Sequence, residues 1–274
     1  MLISANNGLY RVRQGKECFT VFEAVDFCGQ AGFEAVDINF FATTRRGAAR
    51  ERILDGDWRS DIQRLNGELK ARGLVAESIH TPKAGADEPQ DVYEEYLRRS
   101  LEAAAMLGAR YAVFHPLVDQ QKTHTLVDET IRYFREYAQL AVRYGVMLAV
   151  ENMFSSTPEQ LLEICEALGC GVCWDTGHAN IAGLDQYKSV TALGEHLKVL
   201  HVNDNYGSMD DHNPPYFGTV DWTGFAQALL DIQYEGAFNF EVNASHIPDE
   251  LRMECARYLV KAGRLLTGRS KGDR

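Results

Sequence analysis

Six short apolar runs in this chain each lead into an acid or an imidazole: His80, His115, Glu151, Asp175, His201 and Glu241. One such residue after a strand is most simply a polar group that begins a loop. Six at equivalent points form a constellation, because strands lying side by side deliver their last residues to one place. Carboxylates and imidazoles gathered without thiolates suit a divalent ion of the Mn²⁺, Mg²⁺, Co²⁺ or Zn²⁺ kind. Four of the six, Glu151, Asp175, His201 and Glu241, suffice for one ion and leave positions for two substrate oxygens. Their three carboxylates would repel one another in an empty site, and a cation relieves that repulsion.

The elements that must position these residues alternate along the whole chain. Strand-like runs lie at 2–5, 34–38, 74–79, 111–114, 146–150, 171–174, 197–200 and 237–240. Between them, helical spacing and stop signals predict helices at 21–31 (closed by Gly32), 92–107 (Gly108), 125–144 (Gly145), 225–232 and 248–266. Ile62, Leu65 and Leu69 mark another before Gly73, and Thr157-Pro158-Glu159 opens one more with a cap residue and a first-turn proline. About eight βα units of roughly 34 residues, without a Pro/Gly/Ser-rich linker, predict an α/β protein with a parallel sheet. The expected fold is one (β/α)8 TIM barrel over residues 1–267 with a polar tail at 268–274. A doubly wound sheet is the second choice, but no Gly-rich dinucleotide fingerprint follows the first strand.

Bulk properties exclude other classes. The 274 residues are 45% apolar and 24% charged, ordinary for a globular protein. No apolar run approaches the ~20 residues of a membrane helix. The first residues, Met1 to Asn7, lack the basic segment and apolar core of a signal peptide, so a cytoplasmic protein is expected. A net charge of −11 disfavours nucleic acid and anionic membranes as partners. The nearest thing to a basic patch, Arg45, Arg46, Arg50 and Arg52, reads as a solvated face. Six cysteines without a ladder of spacings argue against disulfides, and Cys170-Gly171-Val172-Cys173 sits within a strand-like run rather than opening a helix.

Several segments together resemble the xylose-isomerase-like TIM barrels: Ala149-Val150-Glu151-Asn152, Trp174-Asp175-Thr176-Gly177-His178-Ala179-Asn180, His201-Val202-Asn203-Asp204-Asn205, Asp210-Asp211-His212, Gly218-Thr219-Val220-Asp221-Trp222 and Phe240-Glu241-Val242. That superfamily joins sugar isomerases and epimerases, ketose 3-epimerase-like enzymes among them, to the endonuclease IV type of DNA-repair enzyme. The sugar branch implies one divalent ion, Mn²⁺ before the others, held by Glu151, Asp175, His201 and Glu241. Glu151 and Glu241 double as acid/base groups on opposite faces of a small sugar or polyol-carbonyl substrate. Moving a proton next to a carbonyl needs a base, a stabiliser for the enediolate oxygen and an acid to return the proton. His178 is assigned to a substrate oxygen by the resemblance, with His80, His115, Asp210 and His212 around the same substrate. A homo-oligomer is likewise implied.

The endonuclease branch holds three zinc ions with nine ligands, and matching types stand at His80, His115, Glu151, Asp175, His178, His201, Asp210, His212 and Glu241. Against it stand the acidic balance and a short segment between His201 and Asp210, which is expected to leave Asp210 and His212 out of reach of metals. The expected activity is therefore an isomerase or epimerase, with the phosphodiesterase, an inosose-type dehydratase and a non-catalytic sugar binder as alternatives. Pro214-Pro215-Tyr216-Phe217-Gly218 stands where a Pro-Gly turn is expected, so its aromatics stack on a sugar, pack a subunit contact or plug the loop. Residues 243–248 carry no lysine or arginine, which points to an unphosphorylated or lightly charged substrate.

Overall fold

A computed structural model describes residues 1–13, 16–45, 47, 50–83 and 88–268; Arg46 and tail residues 269–274 lie outside the described residues. In chain order the elements are β1 (Ile3–Asn6), α1 (Gly8–Arg11), α2 (Val21–Ala31), β2 (Ala35–Asn39), α3 (Trp58–Ala71), β3 (Val75–His80), α4 (Gln90–Leu107), β4 (Tyr111–Phe114), α5 (Val127–Arg143) and β5 (Met147–Glu151). They continue with α6 (Pro158–Leu168), β6 (Gly171–Asp175), α7 (Thr176–Ile181), α8 (Gln186–Leu193), β7 (Leu197–His201), α9 (Trp222–Asp231), β8 (Phe238–Phe240) and α10 (Asp249–Leu266). A 3₁₀ turn, Phe41–Thr44, follows β2.

The strands pair in parallel in the order β7-β6-β5-β4-β3-β2-β1-β8. The ring closes just past the end of β7: Val202 N donates to Asn239 O at 2.8 Å and Glu241 N donates to Val202 O at 3.0 Å. The fold is a single (β/α)8 barrel. Side chains alternate across a strand, so inward-facing positions recur every second residue. Inside the barrel, Tyr111, Val113, Ala149, Cys173 and Val199 form a buried floor. Two residues further along the strands come His115, Glu151, Asp175 and His201. The same pleat that seats an apolar floor thus lifts a polar layer above it.

Local chemistry accounts for the helix ends. Thr20 with Glu23 and Thr157 with Gln160 form reciprocal capping boxes, satisfying amide donors at the starts of α2 and α6. Helix α9 begins at Trp222, earlier than the expected Phe225, because the Asp221 side chain accepts from Gly224 N and caps it. Thr125 is not helical: its hydroxyl bonds Ser156 at 2.9 Å, and α5 starts two residues later. Strands β1, β2, β3 and β5 each lie one residue later than expected. Among the described residues no helix is long and apolar enough to cross a membrane.

Candidate active site

The polar layer gathers the predicted donors into three groups, two of which share Glu151. Glu151, Asp175, His201 and Glu241 have ligand-type atoms that all lie within 4.8 Å of one another. His201 Nδ1 is 3.0 Å from Glu151 Oε1 and 3.1 Å from Glu241 Oε2. These residues end β5, β6 and β7 or directly follow β8, so neighbouring strands fix their spacing. Three carboxylates around one imidazole form a donor set that fits a hard or borderline divalent ion. Burial pushes Glu241 up, but His201 offsets this and holds the carboxyl at about 2. Burial raises Asp175 to about 6, with the nearby His178 working against it.

The second group uses the other oxygen of Glu151. Its Oε2 lies 3.2 Å from His80 Nε2 and 3.1 Å from His115 Nε2, and the two Nε2 atoms are 3.2 Å apart. His80 Nδ1 faces the Thr81 carbonyl at 2.9 Å, which turns Nε2 toward the group. Burial opposes the charged form of His80, but the Glu151 carboxylate outweighs it and raises the imidazole.

The third group corrects an expectation. Asp210 and His212 do reach the donors: Asp210 Oδ2 stands 3.6 Å from His178 Nε2 and 3.1 Å from His212 Nε2. Segment length is not the limit, because an antiparallel bridge returns the chain. Asp204 N donates to Asn213 O and Asn213 N to Asp204 O, both at 2.8 Å, folding the intervening residues back over the end of β7. His178 and His212 again direct Nδ1 at carbonyls, those of Asn152 and Glu241, at 2.7 Å each. Burial opposes the charged form of His178, but Asp175 and Asp210 outweigh it and raise the imidazole to about 10. His212 rises to about 10 as well, burial being offset chiefly by Asp210.

Supporting residues that sequence reasoning missed surround these donors. Asp37, fully buried in β2, accepts from Asn6 Nδ2 at 2.8 Å and Ser78 Oγ at 2.9 Å. Its Oδ2 lies 3.9 Å from His201 Nε2, a buried nitrogen without a hydrogen-bond partner among the described residues. His201 therefore turns Nδ1 toward the donors and Nε2 toward a buried carboxylate. Asn152 brackets β6 by accepting from Asp175 N at 2.6 Å and donating to Asp175 O at 3.0 Å. Asn203 Nδ2 donates to Asp175 Oδ2 at 2.8 Å. Gly177 lets Asn203 approach: a Cβ there would stand 1.9 Å from Asn203 Oδ1. Cys173 lies beneath Glu151 and His201, but burial pushes its thiol up, making it a poorer ligand than the carboxylates. An acid inside the apolar run Ala35-Val36-Asp37-Ile38 was the available signal for Asp37.

Other sequence features resolve simply. Phe217 meets Tyr258 edge-on at 5.7 Å and Tyr216 lies 6.1 Å from Trp222, while both rings stay about half exposed. Arg50 pairs with Asp55 and Glu88, Arg52 lies near Asp55, and Arg45 stacks on Phe41. All six cysteines are free thiols, and Cys170 lies 3.6 Å from Cys165 rather than pairing with Cys173. Phe41 and Phe154 wall the mouth, with ring centroids 5.3 Å from His80 and 4.6 Å from His178.

This architecture recurs in known proteins. An uncharacterised protein y4fM of Sinorhizobium fredii is 27% identical over 160 residues, or 54% of this chain and 51% of that one, so the match spans about half the relative's length. A ketose 3-epimerase of Arthrobacter globiformis is 26% identical over 218 residues (70% and 73% of the two chains). A probable endonuclease 4 of Geobacillus kaustophilus is 28% identical over 204 residues (61% and 66%). Among solved structures, the IolI protein with a bound zinc atom superposes with a TM-score of 0.77 at 17% identity over 100% of both chains. A D-psicose 3-epimerase crystallised with D-fructose gives 0.74 at 16% identity, covering 98% of this chain and 100% of that one. At those identities the likeness is one of fold. The family described as Xylose isomerase-like TIM barrel matches residues 25–261, and the chain belongs to that family.

Proposed function

We propose that the chain is a divalent-metal-dependent isomerase or epimerase of a small sugar or ketose. The observation that carries this reading is the placing of Glu151 and Glu241 at 3.0 and 3.1 Å from the same His201 nitrogen, within one buried donor set. Two carboxylates joined to one centre can serve a carbon held between them. One takes the proton beside the carbonyl; the other returns a proton to the opposite face, giving epimerisation, or to the neighbouring carbon, giving isomerisation. The ion, when bound by Glu151, Asp175, His201 and Glu241, polarises the carbonyl and offsets the negative charge that develops on its oxygen. An oxygen-rich set suits Mn²⁺. His178, His212 and Asp210 orient hydroxyls from one side and His80 and His115 from the other, while Phe41 and Phe154 cover apolar faces of the sugar. The ketose 3-epimerase relative supports the substrate class.

One observation favours a second reading. All nine donor residues of the endonuclease IV type assemble into three groups, with Glu151 linking two of them, which is the arrangement a multinuclear zinc phosphodiesterase needs. The test is solvent deuterium incorporation over a panel of ketoses and keto-inositols, with the metal content of each preparation measured. Exchange into a ketose at about one ion per chain supports the isomerase. Three zinc ions with cleavage of abasic DNA, and no exchange, overturns it.

A further inference from the structure

The mouth of the site is not acidic on every side. The Phe41 ring, edge-on to His80 at 5.3 Å and 5.5 Å from the His115 ring, also carries two cations. Arg45 Cζ stands 5.0 Å and Lys83 Nζ 5.3 Å from its centroid. One comes from the loop after β2 and the other from the loop after β3, at the end of the barrel that bears the donors. Among the described residues neither makes an ion pair with an acid, whereas nearby Arg50 and Arg52 do lie against carboxylates. Burial lowers the Lys83 ammonium, and the charges of Arg45 and Lys122 lower it further. In a chain with 39 acids and 28 lysines and arginines, two cations left together without an acid among the described residues are conspicuous. The attraction of each cation to the ring is weak at a solvated rim, and the repulsion between the two cations works against it. An anion bound between them removes that repulsion.

We infer that Arg45 and Lys83, on the Phe41 ring, form a subsite for an anionic group of the substrate, a phosphate or a carboxylate, at the end remote from the reacting carbon. The inference rests on the sugar-isomerase reading for what that substrate is. It also revises the expectation drawn from the cation-free loop at 243–248, since the cations stand on the wall built from β2 and β3 instead. Arginine offers a planar fork and lysine a point charge, a pairing that grips an oxyanion from two directions.

The test is calorimetric binding to the metal-loaded protein of matched probes: a ketopentose against its terminal phosphate ester, and a ketose against the corresponding keto-uronate. The expected result is that at least one anion binds tenfold or more tighter than its neutral partner, the larger ratio identifying phosphate or carboxylate. The double variant Arg45→Gln/Lys83→Gln should lower that ratio about tenfold or more. Lys188→Gln, on α8 with its side chain 82% exposed, should leave the ratio in place. No preference in the unmodified protein, a ratio unchanged in the double variant, or an equal loss in Lys188→Gln each overturns the subsite. The subsite is judged by binding alone, so a failure of every ketose to exchange deuterium sinks the reaction and leaves this measurement to stand or fall separately.

Discussion

Asp37→Asn is the substitution whose effect can be worked out most fully from the structure. The carboxylate sits 3.9 Å from His201 Nε2, both side chains wholly buried. At an effective dielectric of about 20, two full charges 3.9 Å apart interact by roughly 4 kcal/mol. A ligating imidazole presents an N–H dipole rather than a full charge; taking about a third of that figure leaves roughly 1.4 kcal/mol, or tenfold in affinity. This agrees with the lower end of the 10- to 100-fold that residues behind metal ligands usually contribute. Asparagine keeps the shape, can still accept from Asn6, and can donate to a Ser78 hydroxyl that turns to receive it. Burial raises the Asp37 pKa, so removing its charge relieves a desolvation cost and thermal stability should hold. The assay is competition with a chelating indicator for Mn²⁺ and Zn²⁺, beside a melting curve of the metal-free protein. Affinity within threefold of the parent would refute the idea that Asp37 sets the orientation of His201. A matching fall in melting temperature would make its role structural.

Glu151→Gln and Glu241→Gln should each slow proton exchange by about 10²–10⁴-fold with unchanged circular dichroism; full exchange in either variant excludes it as a proton carrier. The metal-free protein should lose stability as pH rises from 7 to 10. His178 and His212 are raised to about 10 in the folded state, so their contribution is complete below the unfolded value near 6.5 and fades as pH climbs through 10. A flat melting profile over that range contradicts the ion pairs with Asp210. Gly177→Ala should cost about 1–3 kcal/mol from overpacking and weaken metal binding as well, because the added methyl displaces Asn203 from Asp175. Unfolding by denaturant and metal titration check the two effects, and a well-folded, tight-binding variant removes the argument.

The period-two alternation of strands is what made the site readable from residues. Once the runs before Glu151, Asp175 and His201 are strands, floor and donor positions follow, and the helices could be placed from caps and glycines. Asp37 escaped because its acid lies within an apolar run rather than at its end. The group at His178 depends on a six-residue helix and on a bridge between Asp204 and Asn213. Neither leaves a periodic trace, and counting residues from His201 to Asp210 says nothing about a chain that doubles back. Arg45 and Lys83 are far apart in sequence and meet only because β2 and β3 are neighbours carrying loops to the same rim.

The closing seam of the barrel ties its mechanical integrity to its chemistry. Strand β8 has three residues, and its junction with β7 is sealed just past the end of β7, where Val202 N donates to Asn239 O and Val202 O accepts from Glu241 N. His201 and Glu241 stand on opposite lips of that seam. A cation held by both would act as a clasp on the ring, so that binding and closure would share one free energy. Prising β8 and α10 away from β7 is then a local unfolding event that such an ion would resist directly. Loss of such an ion would release a fastener as well as a reagent.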